Sequence, residues 1–192
     1  KNIKRMLAYS GVSHLGYILI GIVAAGVAKN NSLGAAASMF YAFVYTLTNL
    51  AAWGAVIAVG EASGSEEIKD FSGLSKRSPG LAFVLFLAML SLAGVPPLAG
   101  FVGKFYLFSS AWDQGQYVLV IFGIINSVVS LYYYLGVLRA AYFEEPAENA
   151  PPLVVGPALK SGLAISTVAM VVVGMVPALT QWTVATAAAL LS

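Results

Sequence analysis

Gly94-Val95-Pro96-Pro97-Leu98-Ala99-Gly100-Phe101-Val102-Gly103-Lys104 lies inside a long apolar stretch and decides how the whole chain is read. The proline pair removes two backbone donors and the surrounding glycines weaken helix, so an unbroken helical ladder through this run is not expected. Non-helical backbone at membrane depth is tolerated only where protein or a water-filled cavity satisfies its freed N–H and C=O groups. The lysine that closes the run is equally costly. At the centre of a bilayer a Lys costs ~2.5–3.5 kcal/mol to insert, so such residues usually face a hydrated interior and serve ion or proton movement. Break and charge therefore point to one site.

Composition puts that site in a membrane. Of the 192 residues 59% are hydrophobic and only 9% charged, and the mean hydropathy is +0.85. That leaves too little polar surface for a soluble globule of this size. The formal net charge of +2 is too small to argue for nucleic acid, and the basic residues are spread among connections instead of forming a stripe. With no cysteine, the chain offers no disulfide, iron–sulfur ligation or thiol chemistry, and its single histidine rules out a bis-histidine haem of its own. No cofactor-binding or metal site is expected here; any redox cofactor belongs to a partner.

Five apolar segments are each near the ~20 residues a tilted helix needs to span the hydrocarbon core. They are placed at Met6–Ala28, Leu33–Val59, Gly80–Trp112, Tyr117–Tyr142 and Leu159–Val176. An unbroken third helix would be ~50 Å long against a core of ~30 Å, so the interruption, expected over Gly94–Gly103, also resolves the excess length. The tail Pro177–Ser192 either continues past a proline kink or lies along the interface near Trp182. The predicted fold is thus an all-α polytopic membrane protein of about five transmembrane helices, the third discontinuous, forming one membrane domain over residues 1–192.

Lys1, Lys4, Arg5, Lys69, Lys76, Arg77, Arg139 and Lys160 fall on one side of these spans and Lys29 alone on the other. By the positive-inside rule the first group is cytoplasmic and the C-terminus faces outward. The connection Gly60–Ser78 also carries Glu61, Glu66, Glu67 and Asp70, which makes it a solvated connector with room for a short helix before Gly73. The chain begins Lys1-Asn2-Ile3-Lys4-Arg5 without an initiator Met, and no small-residue cleavage pattern ends the first span. It is therefore expected to be the C-terminal portion of a longer polytopic subunit.

Lys104 is the candidate proton carrier. A partly hydrated lysine takes and releases a proton as a neighbouring charge moves, whereas a lysine near a helix end can also simply snorkel to the interface. No Asp or Glu lies within the apolar cores apart from Asp113 at a margin, so a switching partner must be water, another segment or another subunit. His14 shares a polar stripe with Ser10, Ser13 and Tyr17; a relay and a histidine hydrogen-bonded between helices both fit. Tyr41, Tyr45 and Asn49 recur every four residues, with Thr46 and Thr48 read as lying off their face. They fit a water pathway or an interhelical hydrogen-bond seam. Asn126, Ser127, Ser130 and Tyr134 form a comparable stripe that suits packing better than transport. The residues leave three classes open: a proton-translocating subunit of a redox-driven complex, an independent cation/proton antiporter, and a non-conducting membrane scaffold. An antiporter holding a dehydrated metal ion would show an intramembrane carboxylate, and none is visible.

Several of these runs also carry a resemblance. Asn2-Ile3-Lys4-Arg5-Met6-Leu7-Ala8-Tyr9-Ser10 through Ser13-His14-Leu15-Gly16-Tyr17, then Phe71-Ser72-Gly73-Leu74, Arg77-Ser78-Pro79, Gly94-Val95-Pro96-Pro97 and Gly100-Phe101-Val102-Gly103-Lys104-Phe105-Tyr106 resemble the antiporter-like membrane subunits of respiratory complex I. The similarity is greatest to the subunit N branch of NADH-quinone oxidoreductase, with subunits L and M and the Mrp-type cation/proton antiporters as relatives. It covers roughly Lys1 to Tyr142. The resemblance implies a proton-translocating membrane subunit of a respiratory-chain enzyme, built of inverted repeats each with a discontinuous helix, of which this chain matches the second. Lys104 matches the lysine of that broken helix. NADH, FMN, iron–sulfur clusters and quinone are expected on partner subunits, and the partners are other complex I membrane subunits, related antiporter-like ones included. The implied location is the bacterial inner membrane. Tyr41, Tyr45 and Asn49 stand where related subunits have His and Lys, which fits the N branch.

Overall fold

The computed structural model describes residues 2–27, 32–148, 150 and 152–191; Lys1, Ala28, Lys29 and Ser192, on which parts of the sequence reading fall, lie outside them. The chain is a bundle of helices. Helix α1 covers Ile3–Val27, α2 Ser32–Ser63, α3 Leu74–Arg77, α4 Pro79–Ala93, α5 Ala99–Asp113, α6 Tyr117–Phe143, α7 Pro157–Met175 and α8 Pro177–Leu191, with a 3-10 turn at Ile68–Phe71. α1, α2, α6 and α7 are long and apolar enough to cross a membrane, and α4 is a shorter apolar helix. This is the all-α polytopic membrane fold that the sequence predicts.

The long α2 is the central post, touching α1, α4, α5, α7 and α8. Its buried face is rich in small residues, Ala51, Ala52, Gly54, Ala55 and Ala58 among them. In lipid no hydrophobic effect pulls helices together, so close backbone approach over small side chains supplies the contact. The outward faces of α1 (Val12, Leu15, Leu19) and α6 (Val118, Phe122, Ile125, Val129) are apolar and exposed, as suits a chain whose solvent is lipid or further protein.

Polar contacts gather the connections at one end of the bundle. The Ile3 amide donates to the Glu66 carbonyl at 2.8 Å, Lys4 Nζ lies 2.7 Å from Glu66 Oε1, and Lys76 Nζ lies 2.6 Å from Glu145 Oε2. The start of α1, the α2–α4 connection and the end of α6 therefore share one end, in keeping with four antiparallel passages: α1, α2, the α4–α5 span and α6. The connector carries a 3-10 turn before Gly73 and a single helical turn after it.

The predicted third span is two helices, but its interruption is shorter than the expected Gly94–Gly103. Only residues 94–98 leave the helix; residues 99–103 form the first turns of α5. The two glycines inside α5 meet a packing need instead of breaking the helix. A Cβ on Gly100 would stand 1.9 Å from the Ser91 carbonyl oxygen, so only glycine lets α5 cross α4 there. At the other end, α2 runs to Ser63, past the expected Val59. The tail left open by the sequence forms α8, whose Val184 packs with Ala36, Phe40 and Val44 of α2.

Candidate functional site

Helix α4 ends because Gly94 takes the left-handed conformation, φ 83°, that an L side chain rarely adopts. The Gly94 amide donates to the Ser91 carbonyl and the Val95 amide to the Leu90 carbonyl, each at 3.0 Å. Two of the four carbonyls that a helix end leaves orphaned are thereby paired. The other two belong to Leu92 and Ala93. In a continuing helix their donors would be the amides of residues 96 and 97, and both of these are proline.

Lys104 supplies the missing donors. It projects from the second turn of α5 back to the end of α4, where its Nζ lies 3.0 Å from the Leu92 oxygen and 3.3 Å from the Ala93 oxygen. Its third contact is Ser127 Oγ of α6 at 2.8 Å. An ammonium has three N–H groups, so three acceptors satisfy it fully. The two carbonyls are also the negative end of the α4 dipole, which favours a cation at that point. Lys104 is only 4% exposed, which removes the snorkelling alternative. The Tyr17 ring lies under the Nζ, 4.8 Å to its centroid, a cation–π contact in a desolvated setting.

A second polar group surrounds His14 on α1. Its Nδ1 lies 2.7 Å from Tyr41 Oη and its Nε2 3.1 Å from Tyr134 Oη. A neutral imidazole donates from one nitrogen and accepts at the other, and hydroxyls on both sides accommodate either tautomer. Tyr134 Oη is also hydrogen-bonded to Ser10 Oγ. Tyr45 stacks on His14 with ring centroids 4.5 Å apart. Tyr17 links this group to that of Lys104: its ring meets His14 edge-on at 5.6 Å, and its hydroxyl accepts from Asn126 Nδ2 at 3.0 Å. The interior thus holds two hydrogen-bonded clusters joined through Tyr17 and the Asn126–Ser127 pair.

The structure brings together Lys104, His14, Tyr41 and Tyr45, but not Asn49. That side chain lines a cleft between α2 and α7 with Thr46, Trp53 and Leu159. A spacing of four residues overshoots a helical turn, so eight residues rotate the side chain by about 80° away from Tyr41, whereas seven rotate it by only about 20°. Thr48 therefore keeps the Tyr41 face, contrary to the sequence reading. It is buried, and its Oγ1 lies 3.1 Å from Ser91 Oγ. The Gly100 amide donates to that same Ser91 Oγ at 3.1 Å. Since the Thr48 hydroxyl donates to the Val44 carbonyl at 2.9 Å, the order runs from Gly100 N–H through Ser91 and Thr48 to α2. Ser91 thus caps the N-terminus of α5 from a neighbouring helix. The sequence reading missed it; its only signal is a hydroxyl in an apolar run three residues before Gly94.

Beside Lys104 and Ser127 a cavity of about 570 Å³ runs between α5 and α6 to Trp112 and Asp113, walled mainly by Phe101, Phe105 and other apolar side chains. Among the described residues no group of three or more His, Cys, Asp or Glu side chains is placed to hold a metal ion.

A bundle of apolar helices, one of them interrupted beside a buried cation, defines a polytopic membrane protein built on a discontinuous helix, an arrangement found in transporter folds. The chain belongs to the NADH:quinone oxidoreductase/Mrp antiporter transmembrane family, which matches residues 1–130. It is 46% identical over 176 residues to NADH-quinone oxidoreductase subunit N of Moorella thermoacetica, an alignment covering 92% of this chain and 36% of that protein. Respiratory complex I from Thermus thermophilus contains a chain similar in structure, with a TM-score of 0.75 and 32% identity over 93% of this chain and 39% of that one. The Mrp complex from Dietzia sp. DQ12-45-1b shares the fold, with a TM-score of 0.83 and 24% identity over 95% of this chain and 41% of that one. The chain spans less than half the length of the curated relatives it matches.

Proposed function

We propose that this chain belongs to a proton-translocating, antiporter-like subunit of a bacterial NADH-quinone oxidoreductase, and that protons move through Lys104 and the polar interior around it. The observation that carries this reading is the buried Lys104 at the α4–α5 interruption, its ammonium hydrogen-bonded on three sides and bordering a cavity. A cation in that position changes its charge without leaving the protein interior, which a structural lysine has no need to do. His14 with Tyr41 and Tyr45 forms the candidate relay on the neighbouring helices. The chain performs no electron chemistry of its own. NADH, FMN, iron–sulfur clusters and quinone belong to partner subunits, and the partners in the membrane are further subunits, related antiporter-like ones among them. The basic residues in the connections support a cytoplasmic side of the inner membrane for the shared end of the bundle, with the C-terminus outside.

The experiment is proton uptake into sealed vesicles, normalised to assembled complex, with electron transfer followed in parallel. Lys104→Ala is expected to reduce uptake strongly while the complex assembles. Lys104→Arg should not fully restore it, because a guanidinium keeps a charge that proteins do not deprotonate. Wild-type uptake in the Ala variant removes Lys104 as an obligatory carrier.

A further inference from the structure

Of the three acceptors around the Lys104 ammonium, two are amide carbonyls and the third is a hydroxyl. The difference is chemical. A carbonyl oxygen only accepts, whereas Ser127 Oγ can both accept and donate. Ser127 is also the acceptor at the shortest distance, 2.8 Å from Nζ, and it is half-buried on the wall of the cavity beside Lys104. Its own hydroxyl reaches the Ala93 carbonyl at 3.3 Å, a long contact that is easily given up.

Loss of a proton from Lys104 changes what the site must satisfy. A neutral amine has two N–H groups and a lone pair. The two N–H groups suffice for the Leu92 and Ala93 carbonyls, so the end of α4 keeps the donors that Pro96 and Pro97 cannot give. The lone pair then needs a donor, and Ser127 alone among the three partners is able to provide one.

We propose that Ser127 is the residue through which Lys104 exchanges its proton, its hydroxyl reversing from acceptor to donor as the ammonium becomes an amine. The step balances with water as co-reactant. The Ser127 hydroxyl turns from Ala93 to a water in the cavity; the Nζ–H bond directed at Oγ breaks as a new Oγ–H bond forms, and the original hydroxyl proton passes to that water. The new hydroxyl then donates to the amine lone pair. Reprotonation is the reverse. Lys104 keeps both carbonyl contacts throughout, so the α4–α5 junction does not open during the exchange. Ser127 acts as a positioning residue and relay, and the inference rests on the reading of Lys104 as a proton carrier.

Two β-branched substitutions of nearly equal shape test it. Ser127→Thr keeps the hydroxyl and Ser127→Val lacks it, and the cavity beside position 127 leaves space for the added methyl group. In the complete complex in sealed vesicles, the Thr variant is expected to take up protons at close to the wild-type rate. The Val variant should lose roughly tenfold or more, since a positioned proton-transfer group contributes at least that much. Equal rates in the two variants, both high or both low, overturn the proposal. Should the β-branched pair impair assembly, Ser127→Ala substitutes for Val and is expected to show the same loss; wild-type uptake in it overturns the proposal equally. Lys104→Ala in the same assay separates the two ideas. If it pumps normally the carrier reading fails, whereas a dead Lys104→Ala beside a fully active Ser127→Val sinks the Ser127 inference alone.

Discussion

His14 Nε2 and the hydroxyl of Tyr134 stand 3.1 Å apart across 120 residues of sequence, tying the first described helix to the sixth. The same hydroxyl meets Ser10 one turn earlier on α1, so one phenol fastens two polar positions of a helix that otherwise presents apolar residues to its surroundings. Tyr134 is among the largest fully buried side chains.

Tyr134→Phe removes this hydroxyl and keeps the ring. Interhelical side-chain hydrogen bonds in membranes average ~0.6 kcal/mol and reach ~1.7 kcal/mol. With two partners lost, destabilisation of about 1 kcal/mol is expected, measured as a lower unfolding midpoint of the purified subunit in mild detergent. Tyr132→Phe is the control, because Tyr132 is 83% exposed. Equal midpoints for the two variants would show that the His14 cluster carries no stability.

Gly100→Ala tests the crossing of α4 and α5. A single methyl would have to fit 1.9 Å from the Ser91 carbonyl oxygen, and backbone cannot swing aside as a flexible side chain does. Helix propensity alone favours Ala over Gly by up to ~1 kcal/mol, so a rule based on propensity expects stabilisation. The crossing predicts the opposite: loss of assembled complex or a clear fall in thermal stability. Gly136→Ala, where a Cβ meets nothing within 4 Å, should be neutral or better.

Acid should loosen the α2–α4 connector before the membrane helices. The side-chain hydrogen bond from Lys4, with a second from Asn2, holds the Glu66 carboxyl below its ordinary value of 4.5. A depressed carboxyl contributes its stabilisation above the unfolded-state value and loses it as pH falls through the lower folded-state value. Neighbouring Glu67 is held low in the same way by Lys69. Amide exchange in residues 64–72 is therefore expected to accelerate below about pH 4.5 relative to the intrinsic rate, and Glu66→Gln should already show faster exchange at neutral pH with less further response to acid. Exposure of this pair keeps the effect small and sensitive to salt.

Much of this molecule was legible along the chain. Apolar runs of spanning length and a Pro-Pro pair between glycines act on the residues that carry them: a proline lacks its N–H wherever it is placed, so the interruption of the third span needed no tertiary information. The lysine beside it was expected to face the interior or to snorkel to the interface, and its burial decides for the interior. Loop charges likewise revealed which connections share an end. What the sequence could not decide was which partner each polar group meets. Asn49 and Thr48 exchanged roles because helical rotation accumulates over two turns and only the placement of α4 and α7 around α2 tells which face is the inner one. Ser91 looked like an isolated hydroxyl and Ser127 like part of a packing stripe until the α4–α5 crossing and the return of α6 put one on the Gly100 amide and the other on Lys104. The break and its charge are properties of covalent structure and solvation, fixed locally; the three acceptors that hold the charge come from two other helices, and only their packing against α5 selects them.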